Sequence, residues 1–341
     1  MTTRVVVPQG DLGGIGPEVA LRLFTEPQVR ASCRPLLLGH VELLRDLARA
    51  VPGAEDLQLQ AVATPAEGFA QPPDAPLPVL ELENRAPTDP PGTPAAAFGT
   101  CAVEAILRAG SMCLAGDADL LLTPPVHKES MHLAGYPYEG QTQILGELCR
   151  SRRYGMLACA GKLRVLIATR HMALREALDK LDAAMVAKQL RIAHEAARDI
   201  LGLESPRVVL AALNPHAGEG GAFGDEETRI LRPAIEQARE EHGFETAGPA
   251  VPDVVFAQGA RGEWDLVVAL YHDQAFIPLK MLPRSEAYTL FVGGPLLRVS
   301  PVHGAAYDIA RSGQADHEPL GYALQMGLEL AAHRQAAAGR S

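Results

Sequence analysis

Several features that mark whole functional classes are missing from this 341-residue chain. It lacks a positive charge balance, since 31 Lys+Arg stand against 41 Asp+Glu for a formal charge of −10. A general nucleic-acid surface needs a basic field, so no nucleic-acid partner is expected; a small anionic substrate needs only a few local cations. It lacks a disulfide framework. Its five cysteines (Cys33, Cys101, Cys113, Cys149, Cys159) are odd in number and scattered, and read as free thiols in a reducing cytoplasm. No apolar run near ~20 residues offers a membrane span, and Met1-Thr2-Thr3-Arg4 leads into a strand without a signal peptide. GxGxxG, P-loop, HExxH and Cys-x-x-Cys patterns are all absent, as are internal repeats.

What is present is a recurring arrangement. The apolar run Val208–Leu213 reads as a buried strand and runs into Asn214-Pro215-His216-Ala217-Gly218-Glu219-Gly220-Gly221, where the glycines end it. Val165–Thr169 runs into Arg170-His171, and Leu266–Tyr271 into His272-Asp273-Gln274. Three strands ending in histidine place three imidazoles at one sheet edge, the edge where open α/β sheets bind ligands. Three protein ligands and an open position form the usual catalytic zinc arrangement. The competing reading is three unrelated histidines with structural or surface roles.

Other stretches carry polar groups at similar places. The first strand, Arg4–Val7, is followed by Gly10-Asp11-Leu12-Gly13-Gly14-Ile15-Gly16-Pro17-Glu18. That loop is either an anion-binding helix start or a tight strand-to-helix turn. The strand Asp119–Thr123 ends in Pro124-Pro125-Val126-His127-Lys128, where Lys128 is a candidate for an anion, a cofactor or catalysis. Gln141 and Thr142 open a helix and offer hydrogen bonds to a ligand, Thr142 also as a cap. Lys280 and Arg298, read as lying near strand ends on the histidine side, point to a phosphate or carboxylate. His194 reads as structural on the solvent face of a helix over 185–201. The nine prolines from Pro65 to Pro94 mark an irregular connection, and the end from His333 reads as fraying.

These motifs, in order, resemble the 4-hydroxythreonine-4-phosphate dehydrogenase (PdxA) family: Gly10-Asp11 with Gly14–Glu18, Thr123 with Pro125–Lys128, Asn214–Gly220, and Tyr271–Gln274. The resemblance implies a two-domain α/β fold of the isocitrate/isopropylmalate-dehydrogenase type, with the active site in the interdomain cleft at a homodimer interface. The first domain would comprise residues 1–135 plus 300–341. The second, residues 136–299, would carry the metal-binding histidines and the dimer contacts. It implies NAD or NADP as cofactor, and one divalent metal (zinc, magnesium or cobalt) on His171, His216 and His272. Substrate-binding positions fall on Gln141, Thr142, Lys280, Thr289 and Arg298. Three positions depart from the pattern: the family's Gly-His-Thr-Glu is here Gly140-Gln141-Thr142-Gln143, and Thr289 replaces an asparagine.

The reaction implied is metal-dependent, NAD(P)-linked oxidation of the secondary hydroxyl of 4-phosphohydroxy-L-threonine, with decarboxylation of the 3-oxo acid, in pyridoxal 5′-phosphate biosynthesis. Asp273 is a candidate base, or the partner that orients His272. Alternatives within the family are threonate or erythronate 4-phosphate and an aromatic cis-dihydrodiol. A metal-dependent hydrolase is the distant alternative that three histidines alone would permit.

Overall fold

The computed structural model describes residues 2–338. The chain forms two compact units: the described residues up to Ser151 with Gly294–Ala332, and Arg152–Gly293 with the described residues from His333. Twelve strands run β1 (Arg4–Pro8), β2 (Arg34–Gly39), β3 (Leu59–Val62), β4 (Leu77–Glu81), β5 (Leu120–Leu122), β6 (Gly155–Ala160), β7 (Leu163–Ile167), β8 (Val208–Ala211), β9 (Thr246–Ala250), β10 (Leu266–Ala269), β11 (Ala287–Val292) and β12 (Arg298–Pro301).

In the first unit the strand order is β3-β4-β2-β1-β5-β12, and every neighbouring pair is parallel. A parallel sheet is covered on both faces, which explains why β1, β2 and β5 read as unbroken apolar runs. The helix Ala96–Ala115 packs on β1 and on the helices Lys128–Leu133 and Gln141–Leu148. A Cβ at Gly99 would run into the Ser130 carbonyl, so glycine permits this close helix approach. By length and composition this helix could cross a membrane, although the sequence offers no such run at first reading. More than half of it is buried inside the protein, including Phe98, Val103 and Ile106, so it is a core helix.

The domain boundaries expected from the resemblance were 135/136 and 299/300; the compact units divide at 151/152 and 293/294. The difference has a packing cause. The helix Gln141–Leu148 rests on Ala96–Ala115, and Arg298 and Val299 of β12 pair with β5. Gln141, Thr142 and Arg298 therefore belong to the first unit, apart from the histidines.

The second unit has the order β11-β6-β7-β10-β8-β9. β11-β6 and β6-β7 are antiparallel, and β7-β10, β10-β8 and β8-β9 are parallel. The strands ahead of His171, His272 and His216 are thus the adjacent β7, β10 and β8, and their carboxyl ends open on one edge. His194 departs from the sequence reading: it is buried in the helix Ala183–Asp199. Its ring stacks on Phe244 at 4.7 Å, and Nε2 meets the Thr246 hydroxyl at 2.9 Å. Burial pushes it down to about 4, so it is a neutral core histidine. The last helix, Glu318–Ala338, continues past His333 where fraying was expected.

Candidate functional site

Three strand ends in the second unit are stitched together. The Thr169 hydroxyl donates to the Leu270 carbonyl at 2.7 Å. Gln274 Oε1 accepts from Leu270 N at 2.7 Å, and its Nε2 donates to the Ala212 carbonyl at 2.8 Å. Gln274 thereby ties the ends of β10 and β8 and fixes the start of the helix His272–Lys280.

The two rings of His171 and His272 lie 5.6 Å apart, centroid to centroid. His272 Nδ1 donates to Asp273 Oδ1 at 2.7 Å, which leaves Nε2 with its lone pair. His216 repeats the pattern, with Nδ1 donating to Glu219 Oε2 at 2.6 Å. A carboxylate on the far nitrogen is the outer arrangement common to metal-binding histidines, so the donor chemistry fits a divalent metal. His171 and His272 are brought together, whereas His216 contacts Glu219 and Phe223. Among the described residues no cluster of three or more His, Cys, Asp or Glu is close enough to hold a metal ion.

The His216 loop is an unusual piece of backbone. His216, Ala217, Gly218, Glu219 and Gly220 all have positive φ, between 43° and 81°. For the three non-glycine residues this conformation costs roughly 1–2 kcal/mol each. A buried carboxylate holds the loop: Glu227 Oε1 accepts from Leu213 N at 2.9 Å and Asn214 N at 2.8 Å, and Oε2 from Asn214 Nδ2 at 2.9 Å. Burial raises the Glu227 pKa, but these hydrogen bonds outweigh it and hold the carboxyl below its ordinary value. Sequence reading missed both Glu227 and Glu219. Glu219 sits inside the motif itself, while nothing local marks Glu227.

Lys280 ends a helix, not a strand; it is exposed, with Nζ 5.7 Å from the Phe276 ring centroid. Thr289 is buried on β11 opposite Ala158. Between the helices Pro252–Arg261 and His272–Lys280 lies a cavity of about 550 Å³, walled by Phe256, Tyr271, Ile277 and Met281. Ile277 and Met281 are 63 % and 82 % exposed.

In the first unit a second group of the predicted residues comes together. Arg298 begins β12 and is buried. Its Nε donates to Thr123 Oγ1 at 2.7 Å, and its Nη2 to Gln141 Oε1 at 2.9 Å. Burial pushes the guanidinium down to about 9, which still leaves it charged at neutral pH. Gln141 Nε2 donates to the Pro124 carbonyl at 3.0 Å. Thr142 is buried and is the second helical residue; Gly140 is the N-cap, so Thr142 caps nothing. Gln143 closes on Glu139 N and Glu147. Lys128 opens its own helix, and burial lowers its pKa against an opposing pull from Glu139.

The glycine loop after β1 resolves as a tight turn. Gly13 N donates to Asp11 Oδ1, Gly14 N to Asp11 O and Ile15 N to Ala305 O, so these three amides are committed within the protein. A Cβ at Gly14 would strike the Ala305 carbonyl. Asp11, fully buried, also accepts from the Tyr307 hydroxyl at 2.8 Å and from His127 N at 3.2 Å. Burial raises its pKa, opposed by those same hydrogen bonds. His127 stacks on Tyr307 at 4.3 Å.

With this geometry in hand, likeness to known proteins is informative. The family described as Pyridoxal phosphate biosynthetic protein PdxA matches residues 31–327. The 4-hydroxythreonine-4-phosphate dehydrogenase of Trichlorobacter lovleyi is 37 % identical over 335 residues, covering 97 % of this chain and 98 % of the relative. The D-threonate 4-phosphate dehydrogenase of Salmonella typhimurium is 38 % identical over 336 residues, covering 97 % and 99 %. The crystal structure of the 4-hydroxythreonine-4-phosphate dehydrogenase of Klebsiella pneumoniae superposes with a TM-score of 0.85 at 34 % identity, covering 97 % of this chain and all of that one.

Proposed function

The chain belongs to the PdxA family of dehydrogenases, and from that premise we propose that it oxidises the secondary hydroxyl of a 4-phosphorylated 3-hydroxy acid. We take 4-phosphohydroxy-L-threonine as the first substrate, with NAD or NADP as hydride acceptor. The D-threonate 4-phosphate relative, equally similar, is the specific reason to keep threonate 4-phosphate as the second. The observation that carries the reading is the buried Arg298 guanidinium, in a chain whose relatives' substrates share a terminal phosphate.

In this reading Arg298, Thr142 and Gln141 of the first unit serve the phosphate, and Lys280 and Thr289 of the second unit are further substrate-binding candidates. His171, His216 and His272 would hold one divalent metal, zinc, magnesium or cobalt. Asp273 and Glu219 keep the Nε2 lone pairs of His272 and His216 available. When bound, the metal supplies a Lewis acid to the substrate hydroxyl and the dinucleotide supplies a hydride acceptor. The Asp273 carboxylate, already hydrogen-bonded to His272, serves as its orienting partner, and Lys128 with its lowered pKa is the candidate to take up a proton. The product is a 3-oxo acid, whose ketone can accept the electrons left by departing carbon dioxide.

The exposed Ile277 and Met281 beside the His272 helix support a homodimer that covers them. All five cysteines are free, which supports a cytoplasmic location. The test is nicotinamide reduction, followed by absorbance with added divalent metal. The panel holds 4-phosphohydroxy-L-threonine, threonate and erythronate 4-phosphates, and an aromatic cis-dihydrodiol. Turnover of the dihydrodiol alone would overturn the phosphate reading and leave the family intact.

A further inference from the structure

Of the three strand-end histidines only His216 stands on left-handed backbone, with φ 52°. Its turn runs on through Ala217 at 56° and Glu219 at 43°, two more non-glycine residues in a conformation that L side chains avoid. What compensates lies outside the turn. Leu213 N and Asn214 N donate to Glu227 Oε1 at 2.9 and 2.8 Å, and Asn214 Nδ2 donates to Glu227 Oε2 at 2.9 Å. Asn214 Nδ2 also donates to Glu226 Oε2 at 2.7 Å. Glu227 opens a single π-helical turn, Glu227–Leu231, a wide turn of the kind often found at functional sites. The glycines of the motif are fitted to this clamp. A Cβ on Gly218 would come within 2.8 Å of Glu227 Oε2, and one on Gly224 within 2.6 Å of Asn214 Nδ2. A glutamine would not replace the carboxylate in full, since its NH2 would face the Asn214 amide donor against donor.

We infer that Glu227 is a positioning residue for the metal: its clamp on Leu213 and Asn214 holds residues 216–220 left-handed before a metal arrives, and so presents the His216 imidazole ready to coordinate. This rests on the reading of His216 as a metal ligand. Glu227 acts through the backbone of the turn. Without it the turn relaxes toward conformations that L residues prefer, and the metal meets a competent ligand set only in the fraction of molecules that still hold the turn. Apparent affinity falls by that fraction. The same relation predicts a remedy. Glycine adopts the left-handed region at no steric cost, so Ala217→Gly restores part of the population that loss of Glu227 removes.

The experiment titrates zinc into the full-length protein by calorimetry, without substrate or cofactor, and records thermal midpoints without metal. It compares wild type, His216→Ala, Glu227→Ala, Glu227→Gln, Ala217→Gly, and Glu227→Ala combined with Ala217→Gly. Glu227→Ala should weaken zinc binding roughly tenfold to a hundredfold, the loss usual for a residue that supports a metal ligand from behind. Glu227→Gln, which keeps one acceptor oxygen, should lie between it and wild type. Adding Ala217→Gly to Glu227→Ala should recover roughly fivefold to thirtyfold, the cost of one left-handed residue read as a population ratio. Ala217→Gly alone should bind zinc at least as tightly as wild type. A residue that served the fold alone would lower the thermal midpoint on removal and leave zinc affinity where it was. Where Glu227→Ala does not fold, Glu227→Gln with and without Ala217→Gly makes the same comparison. Wild-type zinc affinity in the Glu227 variants, with His216→Ala impaired, overturns the inference alone. So does a loss that Ala217→Gly leaves unrelieved. Wild-type affinity in His216→Ala overturns the metal reading as well.

Discussion

The two groups of candidate residues are built on opposite plans. Around Arg298 the first unit buries its polar atoms and satisfies them with one another, through Thr123, Gln141 and Pro124. At the carboxyl ends of β7, β10 and β8 the second unit does the reverse. The side chains of His216 and His272 are 64 % and 35 % exposed, each with Nδ1 on a carboxylate. Under the proposed function, different ligands would explain the difference. A cation that must recognise an anion works best when desolvated and aimed in advance, since a fixed donor strengthens as water is excluded. Metal ligands need an unspent lone pair, and in the proposed role only the far nitrogen of His216 and of His272 would be committed to the protein. The supporting residues differ to match: neutral acceptors in one unit, carboxylates in the other.

That contrast breaks first at the histidines. His216→Ala and His272→Ala should each abolish turnover and metal binding while leaving a folded protein. Full metal occupancy in either variant would sink the assignment. Inactive His171 and His272 variants, mixed, should regain some activity if two protomers share the site.

Arg298→Ala comes next. It should lower kcat/KM for a 4-phosphorylated substrate by roughly tenfold to a hundredfold, mostly through KM, because it removes a buried charge-assisted donor. Equal losses for an unphosphorylated substrate would show that the residue serves folding instead.

The orienting carboxylates should matter to a similar or smaller degree. Asp273→Asn and Glu219→Gln are expected to weaken metal affinity by roughly 10–100-fold. Metal titration that leaves both variants at wild-type affinity would reduce Asp273 and Glu219 to surface ion pairs.

Glu227 gives the mildest and most specific test. Its folded pKa lies below the ordinary glutamate value, so its contribution to stability is present at neutral pH and disappears as pH falls through that lowered value. Glu227→Gln should cost about 1–3 kcal/mol at neutral pH. It should also flatten the acid limb of the stability curve below the ordinary value of 4.5. An unchanged acid limb would place the support of the left-handed loop elsewhere. Asp11 works with the opposite sign: its pKa is raised, so its protonation stabilises the fold at low pH and that part is lost as pH rises through the folded value.

Much of this was legible in the residues themselves. Short apolar runs cut off by Asn-Pro, Gly or charged residues gave three parallel strands and put His171, His216 and His272 at their ends, because a two-sided buried strand must be apolar throughout and must stop where polar groups begin. Motif order along the chain was enough for the family. Where sequence reading fell short, the partners are distant in sequence or the choice depends on packing. Lys280 and Arg298 appear equivalent as cations, yet one ends a helix in solvent and the other is buried. The glycine loop was open to two readings until Ala305 and Tyr307, nearly three hundred residues on, took up its hydrogen bonds.

By itself, then, the sequence determined which side chains stand at strand ends, since local apolar patterning and chain breaks set that. Only the tertiary structure decided which of them share a unit and what each polar atom faces. Arg298 and Gln141 are 157 residues apart, Arg298 and Thr123 175 apart. No spacing rule reaches that far, because a hydrogen bond between distant segments exists only once packing has brought both into a place from which water is excluded.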